Sequence, residues 1–173
     1  SLMAGYGLPN EQHLSVVLQN SLSLEGHNIK IINGSVSGST SAGGLNIVEW
    51  TLSENNIDLM ILCLGANDML RGIQPSETEQ NLESIIKIAQ SKKIEIILAG
   101  MLAPTSYGIE YKKNFDQIYL KLSKKYDLKL IPFLLEGVAF NPDLNLSDGI
   151  HPNKEGTVVI SQTLKKNILN YIN

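Results

Sequence analysis

Asp148 and His151 are the two residues of this chain whose types and spacing most directly suggest chemistry. They lie three positions apart, with Gly149 between them and Pro152 after them, which is typical of a tight loop and not of a helix. In an acyl-transfer triad, a carboxylate orients an imidazole and stabilises the imidazolium that forms during the reaction. The pair therefore predicts two of the three members of such a triad. The alternative is that Asp148 caps the helix after the loop and that His151 is a surface histidine.

A triad also needs a nucleophile, and the sequence offers Ser1. The G-x-S-x-G motif of the α/β-hydrolases is absent, which excludes that family. Donors for an oxyanion are available from Gly38, in a loop that enters a helix, and from the amide of Asn67, just past an apolar strand. The alternatives are that Gly38 is an ordinary turn glycine and that Asn67 serves in a cap or an Asx-turn.

Four segments of the chain occur in the order and with the spacing of one known family. They are residues 1–9 (SLMAGYGLP), 37–41 (SGSTS), 65–68 (GAND) and 148–152 (DGIHP). On these segments the chain resembles the SGNH, or GDSL-type, hydrolases. Within them it looks most like the bacterial branch of multifunctional thioesterases, lysophospholipases and arylesterases. The resemblance runs over the whole length of the chain.

The resemblance implies a serine hydrolase that cleaves carboxylic esters or thioesters through an acyl-enzyme. It implies a catalytic triad of Ser1, His151 and Asp148, and an oxyanion hole formed by the N–H groups of Ser1 and Gly38 and the amide of Asn67. No metal or organic cofactor is implied, and the expected partner is a small acyl ester or thioester. The resemblance also suggests a periplasmic or secreted bacterial protein, with a cytoplasmic location as the alternative.

The chain departs from the family pattern at its start. The family places a Gly-Asp pair before the nucleophile, at the end of the first strand, and neither the pair nor the strand is present here. We therefore expect that the sequence is truncated at its N-terminus and that the sheet has a gap where this strand would lie. If the natural chain did begin at Ser1, its α-amino group would lie beside the hydroxyl, and an N-terminal amine base would be a rival mechanism.

Segments with strand character and segments with helix character alternate along the chain, which is typical of an α/β domain with a parallel sheet. Strands are predicted at residues 29–33, 57–64, 94–99 and 129–133, and helices at residues 10–24, 41–54, 76–91, 109–125 and 154–171. We expect one domain over residues 1–173, a three-layer α/β/α sandwich with a flavodoxin-like sheet. In such a sheet the loops at the carboxyl ends of the strands bind the ligand, and the four site segments fall there.

The sequence also predicts details of one strand and three helices. The continuous apolar run at residues 57–64 predicts a central strand that is buried on both faces. Residues 76–79 have the composition of a capping box for the helix that follows them. Apolar residues at helical spacing predict the inward faces of two other helices: Leu45, Val48 and Leu52 in one, and Val158, Ile160, Leu164, Ile168 and Leu169 in the last.

Apolar side chains near Asn67 and after the strand at residues 94–99 could hold an acyl chain. We name Met69, Leu70 and Ile73 in the first loop, and Met101 and Tyr107 in the second, as candidate substrate-binding residues. The alternative for each of them is ordinary packing against a neighbouring helix.

Composition and charge exclude several other classes of protein. The net charge is −3 and the lysine pairs are scattered over predicted helix faces, which disfavours a nucleic-acid partner. Cys63 is the single cysteine, so no internal disulfide forms, and no apolar run reaches the length of a membrane span. Two other functions stay open, a carbohydrate O-deacetylase on the same fold and a non-catalytic α/β binding module. An O-deacetylase would be expected to have aromatic side chains as platforms in its site, and Trp50 is the only tryptophan in the sequence.

Overall fold

A computed structural model describes residues 1–53 and 56–172, and it has an α/β fold with a parallel sheet. The helices are α1 (Leu14–Leu24), α2 (Ser41–Thr51), α3 (Ala66–Leu70), α4 (Pro75–Ser91), α5 (Ile109–Tyr126) and α6 (Lys154–Ile172). The strands are β1 (Leu59–Leu62), β2 (Glu95–Ala99) and β3 (Lys129–Ile131). Three short 3-10 turns lie at Asn10–Gln12, Thr105–Tyr107 and Pro142–Leu144.

The chain divides into two compact units, and the sheet lies in the unit formed by Gly38–Leu134. Its strands have the order β1-β2-β3, and both pairs are parallel. A flavodoxin-like sheet places its third, fourth and fifth strands in this way. Helices α4 and α5 pack against the sheet and against each other, and α2 packs on α4. The alternation of strands and helices predicted from the sequence is confirmed here.

The middle strand is β2, not the one that the sequence suggested. Its residues Ile97, Leu98 and Ala99 are fully buried, whereas β1 ends the strand order and its first three residues are only half-buried. The prediction that residues 57–64 form a central strand buried on both faces is therefore wrong. An apolar run shows that a strand is covered, but pairing with neighbours decides its place in the sheet.

The second unit consists of Ser1–Ser37 together with Leu135–Asn173, and it is built on two helices. Helices α1 and α6 pack against each other. Each buries a row of apolar residues spaced by four, as an amphipathic helix requires. These are Leu14, Leu18 and Leu22 on α1, and Ile160, Leu164 and Ile168 on α6. Across the same pair, the Lys165 ammonium donates to the Ser21 hydroxyl at 2.9 Å and to the Glu25 carboxylate at 2.6 Å.

Residues 29–33 form no strand, although their composition predicted one. A strand requires hydrogen bonds to the backbone of a neighbouring strand, and here a side chain makes hydrogen bonds to these residues instead. The Gln19 amide donates to the Ile29 carbonyl at 2.8 Å and accepts from the Ile31 N–H at 2.7 Å. Among the described residues the sheet therefore has three strands in place of the predicted four.

Helix boundaries also depart from the sequence-based expectations at several points. Helix α4 begins at Pro75, and Gln74 at its N-cap makes no side-chain hydrogen bond. The predicted capping box is therefore wrong, because the helix begins one residue earlier than expected and Ser76 lies inside its first turn instead of at the N-cap. Helix α2 ends at Thr51, and the predicted end at residue 54 lies outside the described residues. Val158, predicted to face inward on α6, is exposed.

A search of the described residues for membrane-crossing helices finds none that combines sufficient length with sufficient apolar character.

Candidate active site

The loop at residues 145–152 holds Asp148 in a fixed geometry. One carboxylate oxygen, Oδ1, accepts the N–H groups of Ile150 at 2.9 Å and of His151 at 3.0 Å. The base of the loop is closed by a hydrogen bond from the Leu146 N–H to the His151 carbonyl at 2.7 Å. These backbone hydrogen bonds, followed by the one from the His151 ring, lower the pKa of Asp148 to about 2. The side chain is therefore a carboxylate throughout the neutral range.

The His151 ring lies between Asp148 and Ser1. Its Nδ1 is 2.7 Å from the second carboxylate oxygen of Asp148, and its Nε2 is 2.8 Å from the Ser1 hydroxyl oxygen. Because a carboxylate can only accept, a neutral imidazole carries its proton on Nδ1. Nε2 then accepts the hydroxyl hydrogen of Ser1. Ser1 and Asp148, which the sequence suggested as nucleophile and orienting acid, thus each lie within hydrogen-bond distance of the His151 ring.

Helix α6 begins without help from Asp148. Its first turn is capped by Asn153, whose side-chain oxygen accepts the Gly156 N–H at 3.0 Å. Asp148 directs its carboxylate to the loop backbone and to His151 instead. The alternative in which Asp148 caps the following helix is therefore wrong.

The segment that carries Gly38 is fixed by residues of helix α3 and by the residue after it. The Asn67 amide donates to the Ser39 carbonyl at 3.0 Å. The Arg71 guanidinium donates to the Gly38 carbonyl at 2.8 Å. Both hydrogen bonds are accepted by carbonyl groups of residues 37–41, which we call the glycine segment. Neither bond involves the Gly38 N–H. The sequence motifs pointed to Gly38 and Asn67 but not to Arg71, which directly follows helix α3.

Asp68 ties the same two segments together from inside the protein. Its side chain is fully buried. Its Oδ2 accepts the Ser41 N–H at 2.8 Å, and its Oδ1 accepts the hydroxyls of Ser41 and, at 3.2 Å, of Thr78. A carboxylate at the first N–H of α2 also interacts favourably with the helix dipole. Sequence analysis missed this residue, and its one signal was its position next to Asn67.

The five candidate substrate-binding residues differ in exposure. Leu70 is exposed, and Met69, Ile73 and Tyr107 are half-buried, so all four present some apolar surface. Met101 is buried, with 4% of its surface exposed. The Tyr111 hydroxyl, which sequence analysis missed, donates to the Ile73 carbonyl at 2.8 Å. The Tyr111 ring lies 5.6 Å from the Tyr107 ring. Tyr111 therefore contacts both candidate loops.

Other reactive groups of the described chain do not assemble into a second centre. Burial raises the pKa of the Cys63 thiol to about 12, so the thiol remains protonated at neutral pH. In residues 1–53 and 56–172, no three side chains of histidine, cysteine, aspartate or glutamate are grouped as metal ligands would be.

Comparison with known proteins finds relatives along the whole chain. Residues 1–158 match the family described as GDSL-like lipase/acylhydrolase. Esterase TesA of Pseudomonas aeruginosa is 37% identical over 152 residues, which are 88% of this chain and 76% of TesA. The thioesterase 1/protease 1/lysophospholipase L1 of Escherichia coli K12 is 33% identical over 173 residues, which are 100% of this chain and 82% of that protein.

Comparison with solved structures finds a similar enzyme. The crystal structure of AlinE4, described as an SGNH-hydrolase family esterase, superposes with a TM-score of 0.82 at 41% identity. The match covers 100% of this chain and 93% of AlinE4. The fold of this chain is therefore that of the SGNH hydrolases, as the resemblance implied.

Proposed function

Because this chain belongs to the GDSL-like lipase/acylhydrolase family, we propose that Ser1, His151 and Asp148 are its catalytic triad. The chain is a carboxylic ester hydrolase of the serine type. The observation that carries the assignment of the triad is the pair of short contacts at the imidazole, 2.8 Å to Ser1 and 2.7 Å to Asp148. We also propose that residues 1–173 make up one hydrolase domain, since the family match begins at residue 1 and extends to residue 158.

The proposed first step is acylation of Ser1. Nε2 of His151 takes the hydroxyl proton as the Ser1 oxygen bonds to the carbonyl carbon of the substrate. The carbonyl π bond opens to give a tetrahedral oxyanion. When this intermediate collapses, the bond to the leaving group breaks, and the imidazolium returns its proton to the departing alcohol or thiol. Asp148 accepts from Nδ1 throughout and stabilises the imidazolium.

The second step is hydrolysis of the acyl-enzyme. The neutral imidazole takes a proton from water, the water oxygen attacks the acyl carbon, and the second tetrahedral intermediate expels the Ser1 oxygen. That oxygen regains its proton from the imidazolium. The products are a carboxylic acid and the free enzyme.

Stabilisation of the oxyanion is assigned to the N–H groups of Ser1 and Gly38 and to the amide of Asn67. The motif match supports this proposal, and so do two contacts. Asn67 and Arg71 each hold a carbonyl of the glycine segment, which restrains the backbone that directly follows the Gly38 N–H before the substrate arrives. Preorganised donors of this kind contribute strongly to catalysis because they need no rearrangement when charge develops.

Esters and thioesters with an apolar acyl group are the proposed substrates. The E. coli relative is named both a thioesterase and a lysophospholipase, and a thiol leaves from the same intermediate as an alcohol. Met69, Leu70, Ile73 and Tyr107 are the proposed acyl contacts, since each exposes apolar surface. Met101 is also proposed as an acyl contact, although its side chain is buried.

A panel of p-nitrophenyl esters of increasing acyl length, with one acyl-CoA thioester and one acetylated sugar, tests this function. We expect hydrolysis of the aryl esters and the thioester by the wild-type protein and none by Ser1→Ala. Ser76→Ala is the matched control, because Ser76 is an exposed serine on α4 and should leave the rates unchanged. Activity confined to the acetylated sugar would favour an O-deacetylase, and no activity on any substrate would favour a binding module.

A further inference from the structure

Tyr6 lies against the ring of the proposed catalytic base, in a contact that the triad alone does not account for. The centroids of the Tyr6 and His151 rings are 4.4 Å apart, and the ring planes are inclined by 36°. The Tyr6 side chain is nevertheless 53% exposed. An aromatic ring in this position does not serve as core packing, which points to a role at the imidazole.

The main chain of Tyr6 contacts the proposed nucleophile as well. Its N–H donates to the Ser1 carbonyl at 3.2 Å. One residue therefore touches Ser1 through its backbone and His151 through its ring. The relative position of nucleophile and base depends on both contacts.

Two glycines hold Tyr6 in place. Gly5 and Gly7 both have positive φ, +76° and +73°, a conformation that residues with a side chain rarely adopt. A Cβ at Gly5 would lie 2.2 Å from the His13 ring, and a Cβ at Gly7 would lie 2.7 Å from the Leu146 side chain. The backbone on either side of Tyr6 thus has a conformation that favours glycine, and at Gly5 the His13 ring also leaves no room for a side chain.

The hydrogen bonds of His151 explain what a ring contact adds. The bonds at Nδ1 and Nε2 hold the two nitrogens of the imidazole, at 2.7 Å and 2.8 Å from their partners. Both bonds act at the edge of the ring and do not cover its face. The Tyr6 ring lies against the imidazole at a centroid distance of 4.4 Å and restricts how far the imidazole can tilt. It also attracts the imidazolium that forms during the reaction, since the face of an aromatic ring is electron-rich.

We propose that Tyr6 is a positioning residue for the hydrolytic reaction, which holds the His151 ring in the plane that joins Asp148 to Ser1. The role belongs to the aromatic face of Tyr6 and not to its hydroxyl. This inference rests on the proposed function of the triad.

The test compares Tyr6→Leu, Tyr6→Phe and Ser1→Ala with the wild-type protein, using p-nitrophenyl acetate as a short substrate. Tyr6→Leu should lower kcat about 2- to 10-fold, as expected for the loss of one aromatic contact to a developing cation, and leave KM unchanged. Tyr6→Phe should restore kcat to the wild-type value, because it keeps the ring. Phe140→Leu is the matched control, since it replaces another exposed aromatic residue of the same unit and should change neither constant.

Thermal unfolding of each variant, and titration of its reactive serine, show whether kcat refers to folded and active molecules. A rise in KM at constant kcat in Tyr6→Leu would make Tyr6 a substrate contact and overturn the inference. Loss of kcat in Tyr6→Phe equal to that in Tyr6→Leu would also overturn it, because the hydroxyl would then be responsible. If Ser1→Ala is inactive while Tyr6→Leu keeps the wild-type kcat, only this inference fails. If Ser1→Ala stays active, the proposed function itself fails.

Discussion

The two carboxylate oxygens of Asp148 accept hydrogen bonds from different groups. Oδ1 accepts two backbone N–H groups of its own loop, and Oδ2 accepts the His151 ring. The backbone bonds to His151 and Ile150 are the largest causes of its low pKa, about 2. The loop geometry that presents the acid to the imidazole therefore also keeps the acid ionised.

This pKa predicts a dependence of stability on pH. The folded-state pKa of Asp148 lies below the ordinary value of about 3.9, so folding favours the ionised form. The resulting stabilisation is fully present above about pH 4 and is lost as the pH falls through about 2. In Asp148→Asn this contribution is absent. Urea unfolding of both proteins from pH 5 to about pH 2 should show that the advantage of the wild type shrinks across this window, and parallel curves would contradict the prediction.

The proposed oxyanion hole can be tested by substitution of Asn67. Asn67→Ala should lower kcat by about 10²–10³-fold, equivalent to about 2.7–4 kcal/mol, with little change in KM, because the amide acts mainly on charge that develops in the transition state. Steady-state kinetics on a short aryl ester measure both constants. Asn46→Ala, at an exposed asparagine of α2, is the control. A change confined to KM would make Asn67 a substrate-binding residue.

Helix α5 anchors both loops in which the acyl contacts are proposed. The Tyr111 hydroxyl holds the Ile73 carbonyl at 2.8 Å. On the same helix, the Asp116 carboxylate accepts the Ala103 N–H at 2.8 Å, and the Lys112 ammonium donates to the Ala103 carbonyl at 2.7 Å. Lys112 and Asp116 are themselves paired at 2.7 Å. A single helix thus fixes the loops after β1 and after β2.

Removal of the Tyr111 hydroxyl should alter the preference for acyl length. In Tyr111→Phe the segment that contains the end of α3, with Met69 and Leu70, and the loop after it, with Ile73, loses one hydrogen bond, about 0.5–1.5 kcal/mol. Long acyl chains that reach this segment should lose up to about tenfold in kcat/KM, while acetyl esters keep theirs. Tyr126→Phe is the control, since its hydroxyl bonds to Glu83 near the other end of α5. Equal effects on short and long esters would contradict the proposed acyl contacts.

The elements show where reasoning from sequence succeeds and where it stops. Helices α1, α4, α5 and α6 follow apolar periodicity because each buries one face, and periodicity records burial. Residues 29–33 have the composition of a strand but lack a partner backbone, and Gln19 binds their polar groups instead. The place of β2 in the middle of the sheet is likewise a matter of pairing between distant segments, which local composition does not contain.

The same division applies to the site when the whole chain is considered. Ser1, His151, Asp148, Gly38 and Asn67 were predicted as site residues because they lie in motifs that resemble those of the family. Tyr6, Asp68 and Arg71 were not, because their contacts are made to segments remote in sequence or to the backbone. In our proposal the first five residues supply the reacting and stabilising groups, and the contacts of Tyr6, Asp68 and Arg71 hold the His151 ring and the segment of Gly38 in position.

Ser1 is the proposed nucleophile of this hydrolase. The direct test of this role is incubation of the folded protein with diisopropyl fluorophosphate, followed by peptide mapping with mass spectrometry. A phosphorylated serine forms only where the hydroxyl is activated by a neighbouring base, as His151 would activate Ser1 at 2.8 Å. We predict one adduct per chain, located on Ser1, with loss of esterase activity in proportion to labelling and no adduct in His151→Ala. Stoichiometric labelling of any other serine, or full inhibition with Ser1 unmodified, would contradict the account.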